Sequence, residues 1–264
     1  MTDRVAIAPI QRHGAGALSQ DQDLVAVEAP LAVTLTTAGG REVALGLLMR
    51  TPGDDADLIR GFLYAEGIIR AAADVVDIDL GDSARVTLAP TVDLEASIAA
   101  RAPLTTSACG LCGRIEMTRA DRRGDVPPDL VLSRDMIARL PAALRIGQTV
   151  FAETGGLHAA ALCDADGHVR IVREDVGRHN AVDKVIGAAL AANLIPATTS
   201  LLAVSGRIAY EIVQKAAVAG LAAVVAVGAP SDLAVAAARS AGLTLIGFAR
   251  DGRFNAYAGF ERIR

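Results

Sequence analysis

Aromatic side chains are scarce in this sequence: they make up 3% of its 264 residues, and tryptophan is absent. The 52% hydrophobic content therefore comes mainly from Ala, Val, Leu and Ile. Small aliphatic residues in this proportion are typical of helices that pack closely on buried strands. A chain of this length buries roughly 70 to 75% of its unfolded surface, so it needs no stabilising disulfides. Composition thus favours an α/β protein.

Cysteine is also rare, since the chain has three, too few for a disulfide framework. Cys109 and Cys112 are spaced as Cys-x-x-Cys, which in a reducing compartment indicates redox, metal or sulfur chemistry. We therefore expect a cytoplasmic protein. Cys163 lies in an apolar stretch and is interpreted as a small buried hydrophobic residue.

An excess of positive charge is missing as well, because the net charge is −4 and the pI is about 5.6. Any anionic ligand must then be held by local groups, and nucleic acid is not an expected partner. The N-terminus lacks the apolar core of a signal peptide. The most apolar stretch, residues 216–229, is interrupted by Gly220 and Gly228, so we expect no membrane span.

The chain divides into three segments. Residues 1–22 are polar and have no sustained period, which predicts a mobile tail with order beginning near Leu24. Residues 23–126 predict a smaller α+β domain that ends with the Cys-x-x-Cys loop. The charged and then proline-rich stretch 121–128 is typical of a linker, and residues 127–264 form the second domain.

Hydrophobic periodicity and turn residues predict the elements of both domains. The first domain contains a hairpin of strands 31–36 and 42–48, a helix capped by Asp54 or Asp55 and ended by Gly67, and a hairpin of strands 75–80 and 85–88. The second contains a helix from Ser133 to Leu140, then strand 169–173, helix 181–192, strand 201–204, helix 208–219, strand 222–227, helix 232–241 and strand 243–248. This alternation predicts a mostly parallel sheet whose ligands lie beyond the carboxyl ends of its strands. The loops at those ends are residues 174–180, 205–207 and 249–253.

The Cys-x-x-Cys motif leaves a zinc half-site, a redox or sulfur-handling pair, and an incidental loop open as interpretations. Two thiols lie on a glycine-rich stretch beside Arg114, which favours the reactive thiolate. A structural zinc needs four ligands, but there is no second Cys-x-x-Cys and the histidines have no paired ligand spacing. We therefore predict no metal. A thioredoxin-like pair would open a long helix, whereas residues 115–120 are short.

His158 lies in a segment, residues 154–160, that is similar to the His-x-Glu motif of zinc deaminases. Ala160 occupies the position of the catalytic glutamate, and the Cys-x-x-Cys precedes the histidine instead of following it. Deamination is therefore not expected, although a related scaffold is compatible with the motif. A hydrogen-bonded structural role for His158 is the alternative.

Arg178, His179 and Asn180 lie between a predicted strand and a predicted helix, where free amides and cationic side chains can bind a phosphate. Lys184, further along the helix, is an additional candidate cation. Equally, Glu174 and Asp175 could pair with these cations and only brace the turn.

Ser205 and Arg207 link a second strand to its helix, and Arg250 and Arg253 follow the last strand. Their guanidinium groups can bind phosphate oxygens in bidentate fashion. No Walker A or Gly-x-Gly-x-x-Gly motif precedes a helix, which excludes the standard nucleotide folds. Each basic loop alone could equally be a solvated turn.

Taken together, these segments resemble the formate dehydrogenase accessory sulfurtransferase family, FdhD. The resemblance extends from about Val25 to Tyr257 and includes residues 109–113, 154–158, 174–187, 205–216 and 247–257. The most specific stretch runs from Glu174 to Lys184 and reads Glu-Asp-Val-Gly-Arg-His-Asn-Ala-Val-Asp-Lys.

The resemblance implies a cytidine-deaminase-like fold for the C-terminal domain, without deaminase chemistry. It also implies a homodimeric sulfurtransferase in which Cys109 carries sulfur as a persulfide and Cys112 is the second thiol. The sulfur would come from a cysteine desulfurase and pass to a bis-guanine-dinucleotide molybdenum cofactor for formate dehydrogenase.

The resemblance also implies a cofactor site. The family's nucleotide contact corresponds to Phe248, Ala249, Arg250, Asp251, Gly252 and Arg253. We add to this site His158, Arg178, His179, Asn180, Ser205 and Arg207, and we expect GDP to mimic the cofactor. The alternatives are a cofactor-binding chaperone with dispensable cysteines and a zinc or redox protein without sulfur transfer.

Overall fold

The structure, a computed structural model, describes residues 3–14, 17–99 and 123–264. The strands in these ranges are β1 (Val5–Gly14), β2 (Ala17–Ala26), β3 (Ala29–Thr36), β4 (Glu42–Arg50), β5 (Val75–Leu80), β6 (Ser83–Leu88), β7 (His158–Cys163), β8 (Val169–Asp175), β9 (Leu201–Val204), β10 (Ala223–Ala226), β11 (Thr244–Arg250) and β12 (Arg253–Ala258). The helices are α1 (Asp55–Ala65), α2 (Leu94–Ala99), α3 (Arg134–Ile146), α4 (Thr149–Thr154), α5 (Arg178–Ala191), α6 (Tyr210–Val218) and α7 (Asp232–Ser240). None of the described helices is long and apolar enough to cross a membrane.

The N-terminal residues form a two-stranded ribbon in which β1 pairs with β2 in antiparallel register from Val5–Ala26 to Gly14–Ala17. The ribbon is attached to the body at its base, where Val5 packs against Val150 and Leu157. The prediction that order begins near Leu24 is therefore wrong. Most ribbon side chains are exposed, so the sequence has no apolar alternation that would have indicated these strands. Backbone hydrogen bonds hold them together.

The four-stranded sheet has the order β4-β3-β6-β5 and contains both predicted N-terminal hairpins. Helix α1 covers this sheet and crosses α5 where both helices carry glycine. A Cβ atom on Gly61 would lie 1.8 Å from the carbonyl oxygen of Asp183, and one on Gly187 would lie 1.9 Å from that of Asp57. The two backbones thus touch, and a single apolar core joins the small sheet to α5.

The six-stranded sheet has the order β12-β11-β10-β9-β7-β8, and its two central strands, β10 and β9, are fully buried. Strands β9, β10 and β11 are parallel, but β7 is antiparallel to both of its neighbours and β12 is antiparallel to β11. The predicted mostly parallel sheet is therefore wrong, and the sheet is mixed. The connections from β7 to β8 and from β11 to β12 are too short for the crossover that parallel pairing requires.

The main architectural expectation is confirmed, since the chain is a mixed α/β protein with several sheets. The domain boundaries and the likeness of residues 127–264 to cytidine deaminases stay predictions. Strands β8, β9 and β11 run in the same direction, so the three basic loops that follow them meet at one edge of the sheet. That edge contains the candidate site.

Candidate functional site

At the carboxyl edge of the sheet, the first residue of β7, His158, lies close to Gly206 and Arg178 of the neighbouring loops. Because β7 is antiparallel to β9, its first residue lies at the end where β9 finishes. A Cβ atom on Gly206 would lie 3.2 Å from Nδ1 of His158 and 3.9 Å from the Cβ of Arg178. A side chain at position 206 would therefore crowd the His158 ring, so glycine lets the loop lie close to it.

Backbone hydrogen bonds extend this cluster along the edge. The amide of Gly228 donates to the Gly206 carbonyl oxygen at 3.2 Å, and the amide of Phe248 donates to the Gly228 carbonyl oxygen at 3.1 Å. The hydroxyl of Ser205 accepts a hydrogen bond from the amide of Ala159 at 2.9 Å. Ser205 thus fixes its loop to β7, which is a bracing contact within the site.

The predicted nucleotide contact, residues 248–253, forms the end of β11 and the tight turn into β12. Phe248 and Asp251 have left-handed backbone conformations, with φ of 53° and 52°. Such angles are unfavourable for an aromatic residue, and they concentrate at functional sites. Phe248, Arg250 and Arg253 are exposed at this turn, whereas the Ala249 side chain is buried and faces the core. Gly252 also has a positive φ, of 72°, as this turn requires.

The start of α5 is held by the buried carboxylate of Asp175, which accepts four hydrogen bonds. Its Oδ2 accepts from the Lys184 ammonium at 2.8 Å and from the Thr51 amide at 3.1 Å. Its Oδ1 accepts from the Gly177 amide at 2.8 Å and from the Asn180 side chain at 2.9 Å. The carboxylate therefore fixes the position from which α5 projects its first side chains.

The two acidic residues before α5 brace the turn: Asp175 pairs with Lys184, one of the predicted cations, whereas Glu174 binds backbone amides. Glu174 accepts hydrogen bonds from the amides of Val150 and Phe151 at the start of α4. Asn180 donates from Nδ2 to the Met49 carbonyl oxygen as well as to Asp175, so its amide group serves the fold. Within the described part of the chain, Nε of Arg178 is buried and has no hydrogen-bond partner.

The cluster is cationic. The pKa of His158 is lowered by burial first and then by the nearby Arg178 and Arg207 guanidinium groups, while Asp175 opposes the shift. Burial, followed by Arg178, Lys215 and His158, lowers the pKa of His179 to about 4. Both histidines are therefore neutral at neutral pH, and the positive charge comes from the arginines. Such a site suits an anion that can approach two guanidinium groups.

Of the buried polar residues beneath this cluster, the sequence pointed only to Lys184, as a further cation beside Arg178 and His179. Lys184 and Lys215 are the two lysines of the whole chain, and both are buried beside a carboxylate. Lys215 lies 2.6 Å and 2.8 Å from the carboxylate oxygens of Asp183, whose pKa is raised by burial against the opposing effect of Lys215. The rarity of lysine in a chain rich in arginine was the signal that could have identified them.

The cysteines divide into two groups. Cys163 is fully buried in β7, and burial raises the pKa of its thiol to about 12, which confirms its interpretation as a core residue. Cys109, Cys112 and Arg114 lie outside the described residues. Their predicted roles therefore depend on the sequence and on the relatives of the chain.

Fold and site together define a mixed α/β protein with a cationic cluster at one edge of its central sheet. A crystal structure described as a formate dehydrogenase accessory protein, from Desulfotalea psychrophila, has the same fold. The two match with a TM-score of 0.79 over 99% of this chain and 100% of that chain, at 24% sequence identity.

The family model described as the FdhD/NarQ family matches residues 26–264. A protein from Nocardia farcinica named sulfur carrier protein FdhD is 47% identical and is aligned over 92% of this chain and 89% of its own length. A protein of the same name from Streptomyces coelicolor is 44% identical, with 94% of this chain and 92% of the relative covered. The chain belongs to the FdhD/NarQ family, which confirms the resemblance inferred from its motifs.

Proposed function

We propose that this protein is a cytoplasmic sulfur carrier that is required for formate dehydrogenase activity. Cys109 accepts sulfur from a cysteine desulfurase as a persulfide, and the sulfur then passes to the bis-guanine-dinucleotide molybdenum cofactor before the cofactor is inserted into the dehydrogenase. The protein acts as a homodimer. Family membership supports the carrier role, since the relatives described above are named sulfur carriers.

The observation that carries the cofactor part of the proposal is the cationic cluster at the sheet edge. Arg178 has a buried Nε without a partner among the described residues, and the Arg207 side chain is exposed beside His158. A guanine dinucleotide carries phosphates that such groups neutralise. Phe248 adds an exposed aromatic ring on the turn that also presents Arg250 and Arg253.

Chain length allows the cysteine segment to reach this edge. The Arg123 amide donates to the Ala217 carbonyl oxygen near the far end of α6, and its guanidinium lies 4.5 Å from the centre of the Tyr64 ring. Cys112 precedes Arg123 by eleven residues, which when extended span up to about 38 Å. Helix α6 measures roughly 13 Å, so the anchor at Arg123 lies within reach of the site.

The loading step is a thiol exchange that needs no further reactant. The Cys109 thiolate attacks the outer sulfur of the desulfurase persulfide, a new S–S bond forms on Cys109, and the desulfurase thiolate leaves. Arg114 and the amides of the glycine-rich segment favour the thiolate form of Cys109. Cys112 resolves the persulfide or protects it until delivery.

The test of the proposal is mass spectrometry of the protein after incubation with a cysteine desulfurase and cysteine. We expect one added sulfur atom on the peptide that contains Cys109, its loss in Cys109→Ala, and its retention in Cys163→Ala, the matched control. Loading without a preference for Cys109 would contradict the proposal. Stoichiometric zinc in anaerobically purified wild-type protein, lost in Cys112→Ala, would support a zinc protein instead.

A further inference from the structure

His179 on α5 and Glu211 on α6 face each other beneath the cationic cluster without forming a hydrogen bond. Nε2 of His179 and Oε2 of Glu211 are 3.9 Å apart, and the two side chains are 16% and 9% exposed. Neither atom has a hydrogen-bond partner among the described residues. Native proteins leave few buried polar atoms in this state, so the pair calls for an explanation.

The next turn of the same two helices offers a comparison. There Asp183 of α5 and Lys215 of α6 are closed into an ion pair at 2.6 Å. The helix interface therefore accommodates paired charges, yet the pair nearer the candidate site stays open. His179 is the member that changes charge most readily, because an imidazole gains or loses a proton near neutral pH.

The groups that surround His179 keep it neutral. Arg178 on its own helix, His158 on β7 and Lys215 on α6 all lower its pKa, in addition to the larger effect of burial. Glu211 is the acidic group that faces it, and Asp183 is already occupied by Lys215. An uncharged imidazole is attracted only weakly to the Glu211 carboxylate. This explains why the two groups stay 3.9 Å apart.

A bound anion would raise the pKa of His179 and so favour its protonated form. One negative charge about 5 Å from the imidazole raises a pKa by about 2 at an effective dielectric constant of about 20. A diphosphate at Arg178 and the first amides of α5 brings more than one such charge. The imidazolium that forms can then donate from Nε2 to Glu211 and satisfy both buried atoms.

We infer that His179 and Glu211 form a proton-sharing pair that takes up a proton from solvent when a phosphate-bearing ligand binds at the start of α5. The inference rests on the proposed cofactor site and adds Glu211 to it as a positioning residue. The proton cancels part of the ligand's charge, and the closed pair joins the start of α5 to α6. Binding is therefore tighter as the pH falls through the raised pKa of His179, at about 6 or above, towards its ligand-free value of about 4.

The first test is calorimetry of GDP binding to the full chain at pH 6 in buffers of different ionisation enthalpy. We expect an uptake of roughly half a proton or more on His179, lost in His179→Gln and reduced in Glu211→Gln. The control is His168→Gln, because His168 is exposed on the turn between β7 and β8. Changes in the protonation of GDP itself are common to all variants. Equal uptake by the wild type and His179→Gln overturns the inference.

The second test needs no ligand and separates the pair from the proposed function. The ¹⁵N signals of the His179 imidazole report its titration midpoint in the wild type and in Glu211→Gln. Removing the facing carboxylate should lower the midpoint further, and an unchanged midpoint overturns the pairing. If GDP fails to bind the wild type while the titration midpoint of His179 still depends on Glu211, the proposed cofactor site is wrong. The coupling of the pair to a ligand is then refuted as well, although the pairing itself stands.

Discussion

Replacing Lys184 by methionine tests whether the buried polar layer positions the candidate site. The ammonium of Lys184 is fully buried and donates to the carbonyl oxygens of Thr51 and Glu174 at 2.9 Å and 3.2 Å, in addition to its ion pair with Asp175. Methionine has a similar length but no donor. The substitution therefore leaves the Asp175 carboxylate buried without its cation.

The expected cost follows from that lost cation. Removing one partner of a buried ion pair destabilises a protein by about 3 to 5 kcal/mol, because the remaining charge is neither hydrated nor compensated. For a chain of this size, that loss lowers the Tm by roughly 10 °C. Asp175 also orients the start of α5 through Gly177, so the affinity for GDP should fall together with stability.

The assay is urea unfolding followed by circular dichroism, with calorimetry of GDP binding to the folded variant. The matched control is Lys184→Met combined with Asp175→Asn, which removes the uncompensated charge and should recover part of the lost stability. If Lys184→Met unfolds with the same free energy as the wild type, the buried pair is not what holds α5 in place. If the double variant is less stable than the single one by the full cost of Asp175→Asn alone, the two residues are not coupled.

Four further predictions concern the site and the core. Changing Arg250 and Arg253 together to alanine should weaken GDP binding by roughly 2 to 5 kcal/mol, as calorimetry would detect, and unchanged affinity would place the phosphates elsewhere. Because the pKa of His179 is lowered from 6.5 to about 4, the folded chain binds fewer protons than the unfolded chain between these values. The His179 side chain should therefore lower the free energy of unfolding by about 3 kcal/mol as the pH drops from about 7 to about 4. Urea unfolding of His179→Gln should not show this pH-dependent loss. Gly61→Ala would place a methyl group against the Asp183 backbone and should cost about 1 to 3 kcal/mol or more in thermal unfolding, whereas an exposed glycine such as Gly81 should tolerate alanine. Cys163 should resist alkylation in the native protein and react after unfolding, since its thiol is buried with a pKa of about 12.

The sequence allowed the prediction of elements that have an apolar period or a recognisable turn. The hairpin of β3 and β4 and the alternation from β9 to β11 follow from such patterns and are confirmed. Strand direction was not predictable from burial alone, because a buried apolar run is the same in parallel and antiparallel sheets. The length of the connections would have predicted the direction of β8 relative to β7. The five residues between Cys163 and Val169 are too few for a parallel crossover, so the two strands must be antiparallel.

The candidate site was predicted in part. The sequence identified the loops with Arg178 and Arg207, because polar residues that follow buried strands can be recognised from the sequence. It singled out His158 by its motif, and the structure places all three residues near one another. The sequence placed Lys184 among the cations that Glu174 or Asp175 could pair with. It could not show which carboxylate takes the lysine or that the pair is buried, since each group could have faced solvent. The left-handed conformation of Phe248 was equally hidden, because its residue type does not favour that geometry.

The measurement that tests the central claim most directly is formate oxidation by cells that lack their own accessory protein and express variants of this chain. The account predicts that the wild type and Cys163→Ala restore the activity and that Cys109→Ala, folded and equally abundant, does not. Full formate oxidation with Cys109→Ala would contradict a sulfur-carrying role and leave a cofactor-binding chaperone as the explanation.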